Sequence, residues 1–291
     1  MWSIILHGGA KTIKADEAEA NRAGCVAALE AGRRILEAGG SSVDAVQAAV
    51  TKLENDPTFN AGYGSALNED GEVEMCAALM EGAEFNVGAV TVIKGIRNPI
   101  CAARAMLQQK PVLLAAEGAR RFAAQNGVEL CGPRDLIPPE NSESPNRIGT
   151  HDTVGCIALD QRGRLAVGVS TGGLDGSPAG RVGDSPQPGC GYYVDDTVGA
   201  VVFSGDGEHI ARMMLAARVM HDFDREDPAR GVETALSHVE RIGGTGGGIA
   251  MSPDGIAGWA HNTSHFAVAC ASTANPQGRS FLRKEEDDRE S

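Results

Sequence analysis

The sequence RIGTHDTVGCIALD, residues 147 to 160, changes character abruptly at Thr153. The residues before it are polar, whereas the run from Val154 to Leu159 is almost entirely apolar and is typical of a buried strand. A threonine that opens a strand is ordinary, because β-branched residues pack well on a pleated surface. The local pattern therefore predicts a strand from Thr153, and the rest of the chain must show whether this residue also carries chemistry.

The segments that flank Thr153 differ in kind. Residues 131–152 are rich in proline and polar turn-formers, which indicates a linker. Downstream, RLAVGVST is predicted to be a second strand that QRG joins to the first as a hairpin. GAVVFSG predicts another strand, and GGGIAMSPDGIAGWAHN predicts a pair of strands about a turn. GEHIARMMLAARVMHDF, residues 207–223, is predicted to be one helix.

The first half of the chain also mixes helices with strands. Helical spacing predicts a helix within residues 15–38 and a second one capped by Ser41 or Ser42. VGAVTVI has the character of a strand, Asn98 and Pro99 open another helix, and LLAAEGARRFAAQNG predicts one more. Helices and strand groups in both halves, without regular β-α alternation, predict an α+β domain with a mainly antiparallel sheet.

Composition excludes several classes of function. The chain has 291 residues and a net charge of −13, which argues against a nucleic-acid partner. Its 7 cysteines form no C-x-x-C pair, so we expect reduced core residues and neither disulfides nor a zinc site.

The first residues, MWSIILHGGA, resemble a first strand more than an export signal, so we expect a cytoplasmic protein without a membrane span. The charged segment from about 277 to 291 is predicted to be a disordered tail.

Several motifs taken together carry a family resemblance. Six motifs occur along the chain in this order: HGGA, NAGYGSALNEDGEVEM, HDTVGCIALD, VSTGG, GRVGDSPQPGCGYY and SGDGE. Their order resembles that found in plant-type asparaginases, also called isoaspartyl peptidases, and in their glycosylasparaginase relatives. The similarity covers roughly residues 4 to 270. It implies an N-terminal nucleophile hydrolase with a four-layer αββα sandwich, formed by 1–291 as one domain. Such a chain would cut itself into 1–152 and 153–291, and two cleaved protomers would form a homodimer.

The chemistry explains why a threonine should become a chain end. Its hydroxyl is a weak nucleophile until a base removes the proton, and a free α-amine, with a pKa of roughly 7.7 to 8, is a suitable base. An amide nitrogen is not basic, so the precursor should be inactive toward substrate. The same resemblance implies that Thr153 first attacks the carbonyl of Asp152 and is then freed by hydrolysis of the resulting ester.

The resemblance assigns further residues to the site. On local sequence alone Thr171 is a strand-end residue, Arg181 and Asp184 form a surface ion pair, and SGDG is a turn without the ending of a phosphate loop. By resemblance, Thr171 orients Thr153, while Arg181 and Asp184 hold the α-carboxylate and α-ammonium of an aspartyl substrate. The resemblance also implies that Ser204 and Gly205 form the oxyanion hole. Gly207 and Asn60 would contact the substrate.

A structural sodium ion is also implied by the resemblance, and catalysis would need no cofactor. Its ligands would be backbone carbonyls in LENDPTFNAGY, which otherwise has the character of an ordinary tight loop. The ligand set implied is Leu53, Glu54, Asp56, Phe59, Ala61 and Tyr63.

Three positions depart from the asparaginase pattern. Asp152 stands where most of these enzymes have glycine and matches glycosylasparaginase and taspase, Ser204 stands where many have threonine, and Cys76 stands where aspartate is common. The function predicted is hydrolysis of β-aspartyl dipeptides and of L-asparagine. The alternatives are a glycosylasparaginase, a taspase-like endoprotease and, in a different class, an uncleaved scaffold or binding protein.

Overall fold

The computed structural model of the chain describes residues 1–132, 134–139 and 152–287. Most of the predicted linker and the end of the charged tail lie outside these residues. The strands belong to two sheets, and helices flank both. The strands are β1 (Ser3–Lys11), β2 (Met75–Glu81), β3 (Val87–Ile93), β4 (Leu113–Ala115), β5 (Thr153–Leu159), β6 (Leu165–Thr171), β7 (Tyr192–Asp195), β8 (Gly199–Gly205), β9 (Gly246–Met251), β10 (Ala257–His261), β11 (His265–Ser272) and β12 (Arg279–Phe281).

The helices range from 4 to 20 residues in length, and two of them begin where the sequence predicted. Ser41 caps the second helix, because its side chain accepts a hydrogen bond from the backbone N–H of Asp44. Asn98 and Pro99 open the third helix as predicted. The helices are α1 (Ala18–Glu37), α2 (Ser42–Glu54), α3 (Pro99–Met106), α4 (Ala116–Gln125), α5 (Gly207–Met213), α6 (Leu215–His221), α7 (Pro228–Glu240) and α8 (Lys284–Asp287).

The larger sheet places the strand that begins at Thr153 near its centre. Its 8 strands run in the order β12-β11-β1-β5-β6-β2-β3-β4, and every neighbouring pair is antiparallel except β3 with β4. The predicted β5–β6 hairpin is therefore confirmed. Every residue of β5 is buried, which explains why its sequence is apolar throughout instead of alternating.

Three groups of buried residues hold the sheets and helices together. The first packs α1 to α4 against one face of the larger sheet. The second fills the space between the two sheets, with Ile157 and Val169 on one side and Val202 and Ile249 on the other. The third packs α5, α6 and α7 on the smaller sheet, whose order is β10-β9-β8-β7. The predicted α+β class with a mainly antiparallel sheet is confirmed.

Three local predictions are wrong, each for a structural reason. Residues 207–223 form two helices because Met214 adopts a left-handed conformation, with φ 49° and ψ 53°. Leu113–Ala115, which we predicted as helix, pairs with β3 as a strand. The predicted disordered tail is ordered over β12, which pairs with β11, and over α8; residues 288–291 lie outside the described part.

All 7 cysteines are free thiols in this structure, and each is buried or partly buried. Within residues 1–132, 134–139 and 152–287, no helix combines the length and the apolar character that crossing a membrane requires.

Candidate active site

The candidate nucleophile lies on the face of the larger sheet that meets the smaller one. Thr153 opens β5 and pairs with Thr171 at the end of β6, and Cys76 of β2 pairs with Thr171 from the other side. Residues directly opposite each other on antiparallel strands project from the same face. Ile157 and Val169, which share this face, pack between the sheets, so the row of three side chains faces the smaller sheet.

A small cleft at the end of this row brings most of the predicted residues together. Among the residues lining it are both threonines, Asp152 and Cys76. The rest of the lining comes from the loop between β6 and β7, the end of β8 and the start of α5, and consists of Gly173, Arg181, Gly183, Asp184, Ser185, Gly205 and Gly207.

The backbone and hydroxyl of Thr153 contact two different serines. Its N–H donates to Ser204 Oγ at 3.2 Å, and the same oxygen accepts the N–H of Ala10 at 3.1 Å. Its Oγ1 lies 3.3 Å from Ser185 Oγ. Thr171 Oγ1 instead accepts the N–H of Gly173 at 3.1 Å. Among the described contacts, the side-chain hydroxyl within hydrogen-bonding distance of Thr153 Oγ1 is therefore that of Ser185.

Arg181 and Asp184, the candidate residues for binding the α-carboxylate and α-ammonium of a substrate (its amino-acid head), lie on one wall of the cleft. Arg181 donates from Nε and Nη2 to the two carboxylate oxygens of Glu208, at 2.8 and 2.7 Å. This bidentate pair uses one edge of the guanidinium and leaves the edge that contains Nη1 for another carboxylate. The surface ion pair with Asp184 that the local sequence suggested is not formed, because Asp184 is buried and Glu208 is the ion-pair partner of Arg181.

Two glycines allow the backbone to approach these groups. A Cβ on Gly207 would stand 2.9 Å from Asp184 Oδ1 and 3.1 Å from Arg181 Nη2. Gly205 has a φ of 147°, and a Cβ there would stand 2.4 Å from the carbonyl oxygen of Thr245. A side chain at either position would force the wall to move, so the glycines of SGDG have a structural requirement beyond that of a turn.

Burial changes the acidity of two carboxyl groups. It raises the pKa of Asp184 to about 7, and Asp184 Oδ2 has no hydrogen-bond partner. It also raises the pKa of Glu54 to about 7, although Glu54 Oε1 accepts hydrogen bonds from Ser170 Oγ at 2.7 Å and from the N–H of Ile100 at 2.9 Å. Asp184 Oδ2, which lacks a hydrogen-bond partner, suits an α-ammonium group that would supply one.

These two carboxyls should make stability depend on pH in a defined direction. Their folded pKa values of about 7 exceed the ordinary values of 3.8 and 4.5, so the folded chain binds more protons than the unfolded chain between these limits. Each therefore makes the free energy of unfolding fall as the pH rises toward 7, by at most about 1.4 kcal/mol per pH unit. His7, whose pKa burial lowers to about 3, has the opposite effect up to about pH 6.5.

The pH prediction is tested by differences between variants. In a Thr153→Ala background, which keeps one chain, we expect Asp184→Asn and Glu54→Gln each to reduce the loss of stability between pH 5 and 8. Urea unfolding at several pH values measures it. Profiles that stay parallel to that of Thr153→Ala would show that neither carboxyl titrates in this range.

Asn60 lies behind the cleft instead of lining it. Its Nδ2 donates to the carbonyl of Gly173 at 2.7 Å, and its Oδ1 accepts the N–H of Ala66 at 2.8 Å. A Cβ on Gly172 would stand 2.3 Å from Asn60 Oδ1. Asn60 thus holds the backbone that follows Thr171, whereas the sequence predicted that it would face the substrate.

The predicted sodium loop folds back on itself. The N–H of Tyr63 donates to the carbonyl of Glu54 at 2.7 Å, and that of Phe59 donates to the carbonyl of Asp56 at 3.2 Å. The carbonyl oxygens of Phe59 and Pro57 would lie 2.7 and 2.9 Å from a Cβ on Gly64, so carbonyls converge where only a glycine fits. Backbone carbonyl oxygens are ligands that hard metal cations prefer. The described residues contain no group of three or more histidine, cysteine or acidic side chains that would hold a metal elsewhere.

The residue before the predicted cut is held by a buried ion pair. Lys11 Nζ lies 2.9 Å from Asp152 Oδ2, and the two side chains are 7% and 4% exposed. Lys11 also donates to the carbonyl of Thr58 at 3.3 Å and lies 5.7 Å from the centre of the Phe59 ring. A Cβ on Gly9 would stand 3.0 Å from Asp152 Oδ1, so β1 packs closely against this residue.

Sequence reasoning missed three residues that the structure brings to the site. Ser185 follows Asp184 within GDSP, Glu208 ends SGDGE, and Lys11 follows HGGA. Each adjoins a motif that had been singled out. The adjacency was the available signal, but which side chain turns toward Thr153 or Arg181 depends on the pairing of β1, β5 and β8.

Comparisons with known proteins agree with this arrangement. A family model described as asparaginase matches residues 1–145 and 134–278. Proteins named isoaspartyl peptidase/L-asparaginase are similar along most of their length. The mouse protein is 39% identical, with 91% of this chain and 87% of that protein covered. The bovine protein is 38% identical, with 94% and 91% covered, and the human protein is 38% identical, with 91% and 92% covered. On this similarity and the family match, the chain belongs to the asparaginase family.

Proposed function

We propose that this chain is a self-cleaving threonine hydrolase that acts on β-aspartyl dipeptides and on the side-chain amide of L-asparagine. One observation carries the proposal: Thr153 shares a single cleft with Arg181 and Asp184, a cation and an anion suited to an amino-acid head. The mouse, bovine and human relatives are named for these two activities.

The fold proposed is the four-layer αββα sandwich of N-terminal nucleophile hydrolases. Its support is the set of three buried groups, of which one lies between the sheets and one lies under the helices on either side. In this arrangement the cleft forms where the first residue of β5 lies near the last residues of the facing strand β8. Thr153 begins β5, and Ser204 is the penultimate residue of β8.

Maturation would use the nucleophile on its own chain. Thr153 Oγ attacks the carbonyl carbon of Asp152, the new C–O bond replaces the C–N bond, and the released nitrogen takes a proton. Water then hydrolyses the ester, which leaves a carboxylate on Asp152 and restores the hydroxyl of Thr153. The proposed products are residues 1–152 and 153–291, which the hydrogen bonds of β5 with β1 would keep together.

Catalysis by the matured chain would rely on groups already in the cleft. The free amine of Thr153 takes the hydroxyl proton as Oγ attacks the β-carbonyl of the substrate. The C–N bond then breaks, the leaving amine takes that proton, and the aspartyl group stays on Oγ as an ester. Water hydrolyses the ester, which releases aspartate and restores the hydroxyl. Ser204 Oγ and the N–H of Gly205 would donate to the oxyanion, each worth on the order of 3 kcal/mol. Ser204 Oγ accepts the N–H groups of Ala10 and Thr153, and a serine hydroxyl that accepts through its oxygen can also donate its proton, so these contacts are compatible with this role.

The substrate head would bind on the opposite wall. The guanidinium edge of Arg181 that Glu208 leaves available would take the α-carboxylate, while Asp184 and the carbonyl of Gly207 would take the α-ammonium. Thr171, opposite Thr153 in the sheet, would help to orient the nucleophile together with Ser185. Asn60 would act through the backbone of Gly173.

A sodium ion would serve as a structural support for the cleft. Its support is the close approach of the Phe59 and Pro57 carbonyl oxygens to Gly64; of these two residues, Phe59 belongs to the implied ligand set. A bound cation would neutralise these dipoles and hold the loop closed. The cytoplasmic location and the homodimer that the sequence suggested stay predictions.

A substrate panel tests the proposed function. We expect β-aspartyl dipeptides, L-asparagine and a glycosylated asparagine to rank in that order by kcat/KM. Asp152 matches the glycosylasparaginase pattern, so that activity is the second candidate. Fastest cleavage of the glycosylated substrate would favour it, and an intact single chain without hydrolysis of any substrate would indicate a scaffold or binding protein.

A further inference from the structure

Lys11 is a buried cation whose anion is the residue on the near side of the proposed cut. The described residues provide one carboxylate within 4 Å of Lys11 Nζ, that of Asp152. Its other contacts, the carbonyl of Thr58 and the face of Phe59, carry no formal charge. Lys11 directly follows the HGGA motif, residues 7–10, and is not part of it.

The proposed cleavage would change the ion pairing of Lys11. Asp152 lines the cleft in the described structure, and the proposed cut would break its bond to Thr153, so departure of Asp152 would open the place of its side chain to a substrate. Lys11 is the last residue of β1 and pairs with His265 of β11, so its backbone is held in the larger sheet and would stay in place. A buried ammonium that loses its carboxylate is strongly destabilising, so the opened cleft would favour a ligand that restores one.

We propose that Lys11 becomes the binding residue for a carboxylate on the leaving group of the substrate after Asp152 is released. This inference rests on the proposed function and specifies its substrate. The leaving residue of a β-aspartyl dipeptide carries an α-carboxylate, whereas the ammonia released from L-asparagine and the glycosylamine released from a glycosylated asparagine carry none. Lys11 thus selects dipeptides, while Arg181 and Asp184 recognise the aspartyl head that all these substrates share.

Two substrates that differ only in this carboxylate test the proposal. For the purified wild-type protein, we expect kcat/KM for β-Asp-Gly to exceed that for β-Asp-glycinamide roughly tenfold, the effect typical of a hydrogen bond between charged groups. Lys11→Met should bring the ratio close to one, and Lys11→Arg should keep most of it. Both substrates are measured on one preparation, so the ratio does not depend on how many chains have matured.

The matched control is Lys14→Met, since Lys14 lies three residues away and its side chain is 75% exposed. It should retain the wild-type ratio. A wild-type ratio near one overturns the proposal by itself, even if Lys11→Met does not mature, and so does a Lys11→Met ratio equal to that of wild type. Cleavage of neither substrate by the wild type would instead show that the proposed function is wrong.

Discussion

Thr153→Ala should remain a single chain of 291 residues and should lose hydrolysis of every substrate. Alanine removes the only atom of Thr153 that can attack the Asp152 carbonyl, so no amine is released to act as the base. Loss of a nucleophile of this kind costs on the order of 10⁴-fold or more in rate. Intact-mass measurement should find fragments 1–152 and 153–291 in the wild type and the full chain in the variant.

Thr153→Ser is the matched control for this experiment. It keeps the hydroxyl and loses the methyl group that restricts its rotation, so it should still cut, more slowly. A wild-type cut at another bond, found by N-terminal sequencing, would refute the assignment of Thr153. A fully active wild type that stays in one piece would refute the mechanism.

Arg181→Lys should lower kcat/KM for β-aspartyl dipeptides on the order of 100-fold while leaving self-cleavage largely intact. Lysine keeps the positive charge but loses the planar fork, so it cannot bind Glu208 through one edge and a substrate carboxylate through another. Self-cleavage involves no substrate head, and Arg181 makes no hydrogen bond to Thr153 or Asp152 among the described contacts. Steady-state kinetics and the fraction of cut chains measure the two effects separately.

Glu208→Gln separates orientation of the guanidinium from its charge. Glutamine can accept only one of the two hydrogen bonds from Arg181, so the guanidinium should be less well oriented and KM should rise by less than in Arg181→Lys. If the wild type and Arg181→Lys show the same preference for substrates with an α-carboxylate over substrates without one, Arg181 does not bind that carboxylate.

The elements that could be predicted from the sequence are those whose signals are local. Ser41 caps α2 and Asn98-Pro99 opens α3, because capping depends on residues within one turn. The strand at Thr153 was predictable from its apolar run. The errors arose where distant pairing overrides local preference. Leu113–Ala115 is a strand because it pairs with β3, and Arg279–Phe281 is ordered because it extends the sheet beyond β11.

The sequence by itself determined the family, the candidate nucleophile and the residue types of the site, because short motifs keep their spacing along the chain. Only the tertiary structure decided the partners: Arg181 binds Glu208 instead of Asp184, Asn60 holds Gly173, and Lys11 holds Asp152. A hydrogen bond or ion pair requires atoms within a few ångströms. For residues 27, 113 and 141 positions apart, that distance is set by the register of β1, β5, β6 and β8 and by the loops they carry.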